Sequence, residues 1–242
     1  MKIALCQTSM YCTIEENVES ILQWIQRAAK EKADLAVFTE CAITGYHRKM
    51  PQTVNLEDLQ NAYQKIGKCA TANNISVIVG SPFIEADSPE KIYNSALYFN
   101  PTSKDYEITS KLGLTKAELR FFTKGQKRGF FKVGGLNIGI VFCREIQDGK
   151  ELIEDYQAAN LDLILWPSYI KWDSERELGE KDYLEAAIAI SKKLNVPILN
   201  INSANSLNDL SLRGLGASFL VKNGGIVFKL TEDEEELRLI EV

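Results

Sequence analysis

Two β-α-β patterns, one toward each end of the chain, are separated by a middle section of hairpins, and this order restricts the fold more than any single residue does. Lys2 to Thr8 alternates as a strand, and Thr13-Ile14-Glu15-Glu16 then gives a capping-box-like start to a helix running to about Lys32. Val18, Ile21, Leu22 and Ile25 share the apolar face of that helix. Leu35 to Phe38 follows as a short buried strand. Leu56 to Ala72 has a helical pattern that Asn73-Asn74 ends, and Ile75 to Gly80 is a third strand. In the middle, Ile92 to Phe99 and Asp105 to Ser110 are joined by turn residues, as are Phe130 to Val133 and Leu136 to Phe142. Helices return at Glu151 to Asn160 and Glu180 to Leu194, around the strand Leu161 to Trp166, which Pro167 is expected to stop. Pro197 to Ile201, Gly216 to Val221, Ile226 to Thr231 and Leu237 to Val242 read as closing strands, with Asn223-Gly224 as a hairpin turn.

A purely parallel sheet does not accommodate the hairpins. Two mixed sheets faced outside by helices do, so the expected fold is an α/β (α+β) four-layer α-β-β-α sandwich. Each sheet then buries one face on the other sheet and one face under helices, which explains near-continuous apolar strands such as Ile138 to Phe142. At 242 residues, with no Pro/Ser-rich linker and no fixed-period repeat, residues 1–242 are expected to form one domain.

A formal charge of -5 argues against a nucleic-acid partner, which needs a basic face to displace counterions. Lys124, Lys127 and Arg128 form a basic cluster expected to be a solvated loop, and Glu232 to Glu236 is expected to be a solvated hairpin turn. The five cysteines are odd in number and never spaced C-x-x-C, so neither a disulfide framework nor a metal ribbon is suggested. A reducing cytoplasm fits. Met1-Lys2 leads straight into a strand rather than a signal peptide, and no apolar stretch reaches the roughly 18 residues of a membrane helix.

Three strand-like runs finish in reactive groups: Glu40 after Leu35 to Thr39, Lys111 after Asp105 to Ser110, and Cys143 after Leu136 to Phe142. Functional groups gather on loops held by a rigid scaffold, so these three are candidates for one site. A nucleophilic thiol needs a base and an oxyanion stabiliser. With His47 as the sole histidine, and expected to be an exposed loop residue, Glu40 and Lys111 are the groups able to supply them.

Glu40-Cys41-Ala42-Ile43-Thr44-Gly45-Tyr46, Lys111 followed by Glu118 and Gly125, and Ile138-Gly139-Ile140-Val141-Phe142-Cys143 occur in that order. The ordered set resembles the nitrilase superfamily, the carbon-nitrogen hydrolases. The resemblance runs from Met1 to Gln7, through Tyr93-Asn94-Ser95-Ala96, to Gly216-Ala217-Ser218. It implies the α-β-β-α sandwich and a small-molecule amide-type substrate. It also implies Glu40 as general base, Lys111 as electrostatic stabiliser, Cys143 as nucleophile and Glu118 as a supporting carboxylate. No metal or cofactor is implied, and a homodimer or higher homo-oligomer is.

Taken alone, Cys143 fits a core cysteine, Lys111 a loop lysine and Glu118 a solvated helix residue. Tyr46 and Trp172 are candidate substrate contacts, with packing an equal account of Tyr46, while Trp166 suits the core. The segment after the thiol, Arg144 to Glu151, departs from the family pattern: it lacks the aromatic residue and the Pro-Glu pair usual there. Thr39 stands where a proline often precedes the glutamate. Arg144 and Gln147 are candidate substrate contacts in the altered segment. ω-Amide, N-carbamoyl and simple aliphatic amide substrates stay open, with a nitrile less favoured. A metal-dependent phosphodiesterase of the same layer architecture and a catalytically silent binding protein are the competing readings.

Overall fold

The computed structural model describes residues 1–47, 49–170, 176–204 and 214–242, with only the backbone described for residues 176–181. In chain order the strands are β1 (Lys2–Gln7), β2 (Leu35–Val37), β3 (Ser76–Glu85), β4 (Ser88–Phe99), β5 (Tyr106–Ser110) and β6 (Phe130–Val133). They continue as β7 (Leu136–Ile140), β8 (Leu163–Ser168), β9 (Ile198–Asn202), β10 (Phe219–Lys222), β11 (Gly225–Lys229) and β12 (Glu236–Glu241). The helices are α1 (Ile14–Lys30), α2 (Met50–Thr53), α3 (Leu56–Asn73), α4 (Gly149–Tyr156) and α5 (Arg176–Leu194).

Local signals start and stop these helices. Thr13 caps α1 by accepting the Glu16 N–H, with Glu15 and Glu16 in its first turn and Arg27 and Lys30 in its last, so both ends oppose the helix dipole. Asn55 caps α3 by accepting the Asp58 N–H at 2.9 Å, and Asn74 closes it in the left-handed region at φ 48°.

Among the described residues the strands form two six-stranded sheets, ordered β12-β1-β2-β3-β4-β5 and β11-β10-β9-β8-β7-β6. The pairing sequence is the same in both. From β12 to β5 it runs antiparallel, parallel, parallel, antiparallel, antiparallel. From β6 to β11 the same succession recurs.

Three apolar layers separate the four structural ones. Helices α1 and α3 cover the outer face of the first sheet through Val18, Ile21, Ile25, Leu59 and Ile66. Ile3, Leu5, Leu35, Val37, Ile138, Ile140, Leu163, Leu165 and Leu199 fill the space between the sheets. Helices α4 and α5 cover the second sheet through Leu152, Tyr156, Ala187 and Ile190. Side chains alternate along a strand, so β1 sends Ala4 and Cys6 toward the helices while Ile3 and Leu5 face the other sheet. The two mixed sheets and their helical faces are the sandwich that the pattern predicts.

Four expectations change. Pro167 does not stop its strand: it lies in β8, in register with Ile201 of β9. Its missing N–H falls on the β7 side, where pairing has already ended at Ile140 and Leu165, so no ladder bond is lost. The acidic run Glu232 to Glu236 is not a hairpin turn, because β11 and β12 belong to different sheets. It crosses between them, held by the Gln7 side-chain amide donating to the Thr231 and Glu234 carbonyls. His47 is buried rather than exposed. The side chain of Arg128 is buried too, within 3.5 Å of carboxylate oxygens of Glu145, Asp148 and Asp155.

Candidate active site

Glu40 follows β2 in the first sheet, and its carboxylate is 1% exposed. Gly80 on β3 lets the chain pass this closely: a Cβ there would stand 2.2 Å from the Thr39 carbonyl oxygen and 2.7 Å from Glu40 Cα. Thr39 in turn donates its hydroxyl to the carbonyl of Ser168 in the second sheet. The threonine thereby fastens the approach to Glu40 across the seam, a bond that proline cannot make.

Lys111 leaves the end of β5 and is 2% exposed. Its Nζ donates to Glu40 Oε1 and to Glu118 Oε1, each at 2.7 Å. Asn94 Nδ2 also donates to Glu40 Oε1 at 2.7 Å, from β4 beside the lysine's strand. Glu118 opens the 3-10 turn Glu118–Arg120, where Oε2 accepts the Thr115 N–H at 2.7 Å and Oε1 accepts the Tyr46 hydroxyl at 3.0 Å. Glu118 is therefore not a solvated helix residue. It is a buried member of an ion cluster.

Cys143 begins the 3-10 turn Cys143–Gln147 after β7, with its backbone in the left-handed region at φ 38°. A non-glycine residue there is strained, and such strain gathers at functional sites. Trp166 Nε1 donates to the Cys143 carbonyl at 2.8 Å, so the core tryptophan also fixes this turn. The Cys143 Sγ lies 3.8 Å from the Tyr169 carbonyl oxygen, while the Tyr169 N–H donates to Glu40 Oε2 at 3.2 Å. One residue of the loop after β8 thus touches both the thiol and the carboxylate. The Tyr169 ring stacks on Tyr46 with centroids 5.2 Å apart, adding an aromatic wall.

Burial governs the proton affinities, and the neighbouring charges then separate them. Burial pushes the Cys143 thiol up to about 12; Glu40 adds to the rise and Lys111 opposes it. Burial likewise raises Glu40 above the ordinary carboxylate range against the pull of Lys111. Burial works against the charge of Lys111, but Glu40, Cys143 and Glu118 outweigh it and raise its pKa. Glu118 is also penalised by burial, yet Lys111 and the Thr115 hydrogen bonds hold its pKa below the usual value. Burial thus favours the neutral thiol at Cys143, while the carboxylates of Glu40 and Glu118 favour the charged form of Lys111.

The remaining sequence candidates are distributed differently. Tyr46 joins the cluster through Glu118. Arg144 pairs with Asp148 and lines a cleft of about 520 Å³ together with Leu112, Gly113 and Arg128. Gln147 is exposed at the end of its turn. Trp172 lies outside the described residues. Sequence reasoning gave no role to Tyr169, Asn94 or Glu145. Tyr169 acts through its backbone, which leaves no side-chain signature, whereas Asn94 is a buried polar residue in an apolar strand and was available as a sign. Among the described residues no cluster of three or more His, Cys, Asp or Glu is arranged to hold a metal ion, and no helix is long and apolar enough to cross a membrane.

The carbon-nitrogen hydrolase family model matches residues 2–242. Over 251 residues the chain is 24% identical to a glutamine-dependent NAD(+) synthetase of Acinetobacter baylyi, covering 98% of this chain and 43% of that protein. It is 25% identical over 165 residues to nitrilase homolog 2 of Dictyostelium discoideum, covering 63% of this chain and 49% of that one. The chain thus spans less than half the length of these curated relatives. Among solved structures, an amidase of Nesterenkonia AN1 from the nitrilase superfamily superposes with a TM-score of 0.86 at 20% identity, covering 100% of this chain and 90% of that chain. The glutamine-dependent NAD+ synthetase of Acinetobacter baumannii gives 0.85 at 23% identity, over 98% of this chain and 44% of that one. One structure of the Nesterenkonia amidase carries acrylamide added at its active-site cysteine.

Proposed function

This chain belongs to the carbon-nitrogen hydrolase family, and from that premise we propose that it hydrolyses the C–N bond of a small amide through a thioester on Cys143. One observation carries the reading: the buried Glu40–Lys111–Glu118 cluster reaches the Cys143 thiol through the two sides of the Tyr169 backbone.

An amide carbonyl is a poor electrophile, and passing through a thioester replaces one difficult step with two easier ones. Glu40 takes the thiol proton as Cys143 Sγ attacks the carbonyl carbon, so the thiolate forms only as the bond forms. The carbonyl electrons become an oxyanion. Lys111 is the cation for it, and the Arg144 N–H, in the first turn of a 3-10 helix with no carbonyl one turn back to bond, is the second donor. A preorganised donor of this kind contributes on the order of 3 kcal/mol. Collapse breaks the C–N bond, and Glu40 returns its proton to the departing amine. Water then attacks the thioester, Glu40 takes its proton, and the acid leaves as the thiol is regenerated. Glu118 acts at one remove, keeping Lys111 charged and aimed.

The likeness to glutamine-dependent NAD(+) synthetases puts the glutamine side-chain amide among the first substrates to try. Arg144 offers a cation for a carboxylate-bearing substrate only if Asp148 releases it, so acidic and neutral amides should be compared directly. Ammonia release from glutamine, aliphatic amides, N-carbamoyl compounds and nitriles, run beside Cys143→Ala, tests the reading. Hydrolysis that survives in the variant refutes the covalent route. Mass spectrometry of an enzyme quenched during turnover should find the acyl group on the Cys143 peptide.

A further inference from the structure

Glu145 carries a buried carboxylate that the mechanism above does not use. It is 1% exposed. Its Oε1 accepts the backbone N–H groups of Leu112 and Gly113, both at 2.7 Å, and its Oε2 accepts the N–H of Phe142 at 2.8 Å. The Arg128 guanidinium lies 3.2 Å from Oε1. Leu112 is the residue after Lys111, and Phe142 is the residue before Cys143. A single carboxylate therefore spans from the end of β5, an edge of the first sheet, to the end of β7 in the second.

Resting on the hydrolase reading, we propose that Glu145 is a positioning residue: it clamps the backbones beside Lys111 and Cys143 together and so fixes the ammonium relative to the thiol. Three observations support this over general support of the fold. Both carboxylate oxygens are committed to backbone donors, and charge-assisted bonds of this type are stronger than neutral ones. The Phe142 N–H they hold is directly before the strained Cys143 backbone. The loop after Lys111 also approaches closer than a side chain permits, since a Cβ on Gly113 would stand 2.8 Å from Glu145 Cγ and 2.7 Å from Asp148 Oδ2. Arg128, itself 5% exposed along its side chain, balances the buried charge.

Neither oxygen of Glu145 is placed on substrate, so its effect passes through Lys111 and Cys143. A reacting group displaced by about 1 Å loses on the order of 10²-fold in rate. Glu145→Gln keeps the shape but turns one oxygen into an N–H donor, which sets a donor against either the Leu112 and Gly113 pair or Phe142. Gly113→Ala disturbs the same junction from the other side without altering the carboxylate.

The experiment measures the pH profile of iodoacetamide modification of Cys143, by peptide mass mapping, in wild type, Glu145→Gln and Gly113→Ala. Circular dichroism checks the fold, and kcat and KM are measured on whichever amide is turned over. The expected result for folded Glu145→Gln is a displaced alkylation profile and a kcat lowered by about 10-fold or more with KM little changed. Gly113→Ala should displace the profile as well, and it decides the matter if Glu145→Gln does not fold. A folded Glu145→Gln with the wild-type profile overturns the proposal, as does a wild-type profile in Gly113→Ala when that variant must decide. Alkylation needs no substrate, so wild-type protein that hydrolyses nothing refutes the hydrolase reading while the clamp is still judged by the thiol.

Discussion

Thr39 and Ser168 join the two sheets of the sandwich, the threonine hydroxyl donating to the serine carbonyl at the residues directly before Glu40 and Tyr169. Glu40 and Tyr169 are themselves bonded, so this contact sets the spacing of the next pair along each chain. Thr39→Val preserves the shape and removes the donor, leaving the buried Ser168 carbonyl short of a partner. That should cost about 1–3 kcal/mol, read from urea unfolding at neutral pH, and kcat should fall with it. Unchanged stability and turnover would mean that the bond is dispensable.

Gly80→Ala tests the close passage of β3 behind Glu40. The added methyl carbon would meet the Thr39 carbonyl at 2.2 Å, the Cys41 nitrogen at 2.6 Å and Glu40 Cα at 2.7 Å. All three are backbone atoms and yield little. Overpacking of this kind costs about 1–3 kcal/mol, and the displaced Glu40 should lower hydrolysis far more than stability. A variant with normal turnover would show that the carboxylate tolerates a shift.

Lys111→Met removes the cation between two buried carboxylates. Breaking such an arrangement costs about 3–5 kcal/mol at neutral pH. The loss should shrink in acid, where Glu40 and Glu118 take up protons and no longer need a counter-charge. Denaturation curves at two pH values check both halves of the expectation. A stability loss independent of pH would point to lost packing instead.

The pH dependence follows from the opposed carboxylates. On the proposed route Glu40 must be ionised to receive the thiol proton, and its pKa is raised by burial, so the acid limb of kcat/KM should lie above the ordinary glutamate value of about 4.3. The linkage to stability has opposite signs in the two residues. The raised pKa of Glu40 contributes stability below the unfolded value, lost as pH rises through the folded one. The depressed pKa of Glu118 contributes stability above the unfolded value, lost as pH falls through the folded one. Glu118→Gln should therefore flatten the acid-side loss of stability. A steeper loss would reverse the assignment.

The strands and helices were legible because their apolar periodicities differ, and the placement of hairpins between β-α-β patterns was enough to infer two mixed sheets. Side chains with distinctive chemistry were legible as well: Glu40, Lys111, Glu118 and Tyr46 meet in one hydrogen-bonded cluster, and Cys143 reaches it through Tyr169. What sequence could not convey is long-range pairing. Glu232 to Glu236 has the composition of a turn, and only the partners of β11 and β12 make it a crossover. Arg128 has the composition of a solvated loop until three carboxylates from distant positions surround it. Tyr169 contributes its peptide groups, which every residue possesses, and Glu145 acts on peptide groups of two other segments.

The succession of antiparallel and parallel pairings repeats from one sheet to the other, and it puts β2 and β8 in equivalent places. Glu40 and Tyr169 therefore hang from matching strands of two stacked layers, and the distance between them depends on how the layers sit. Side chains such as Val37, Leu165 and Leu199 form the bearing surface. In a molecule divided in this way the proposed reactivity is tied to mechanical compliance: hydrostatic pressure or a cavity in that surface, far from Glu40 and Cys143, should change the rate by shifting one layer on the other.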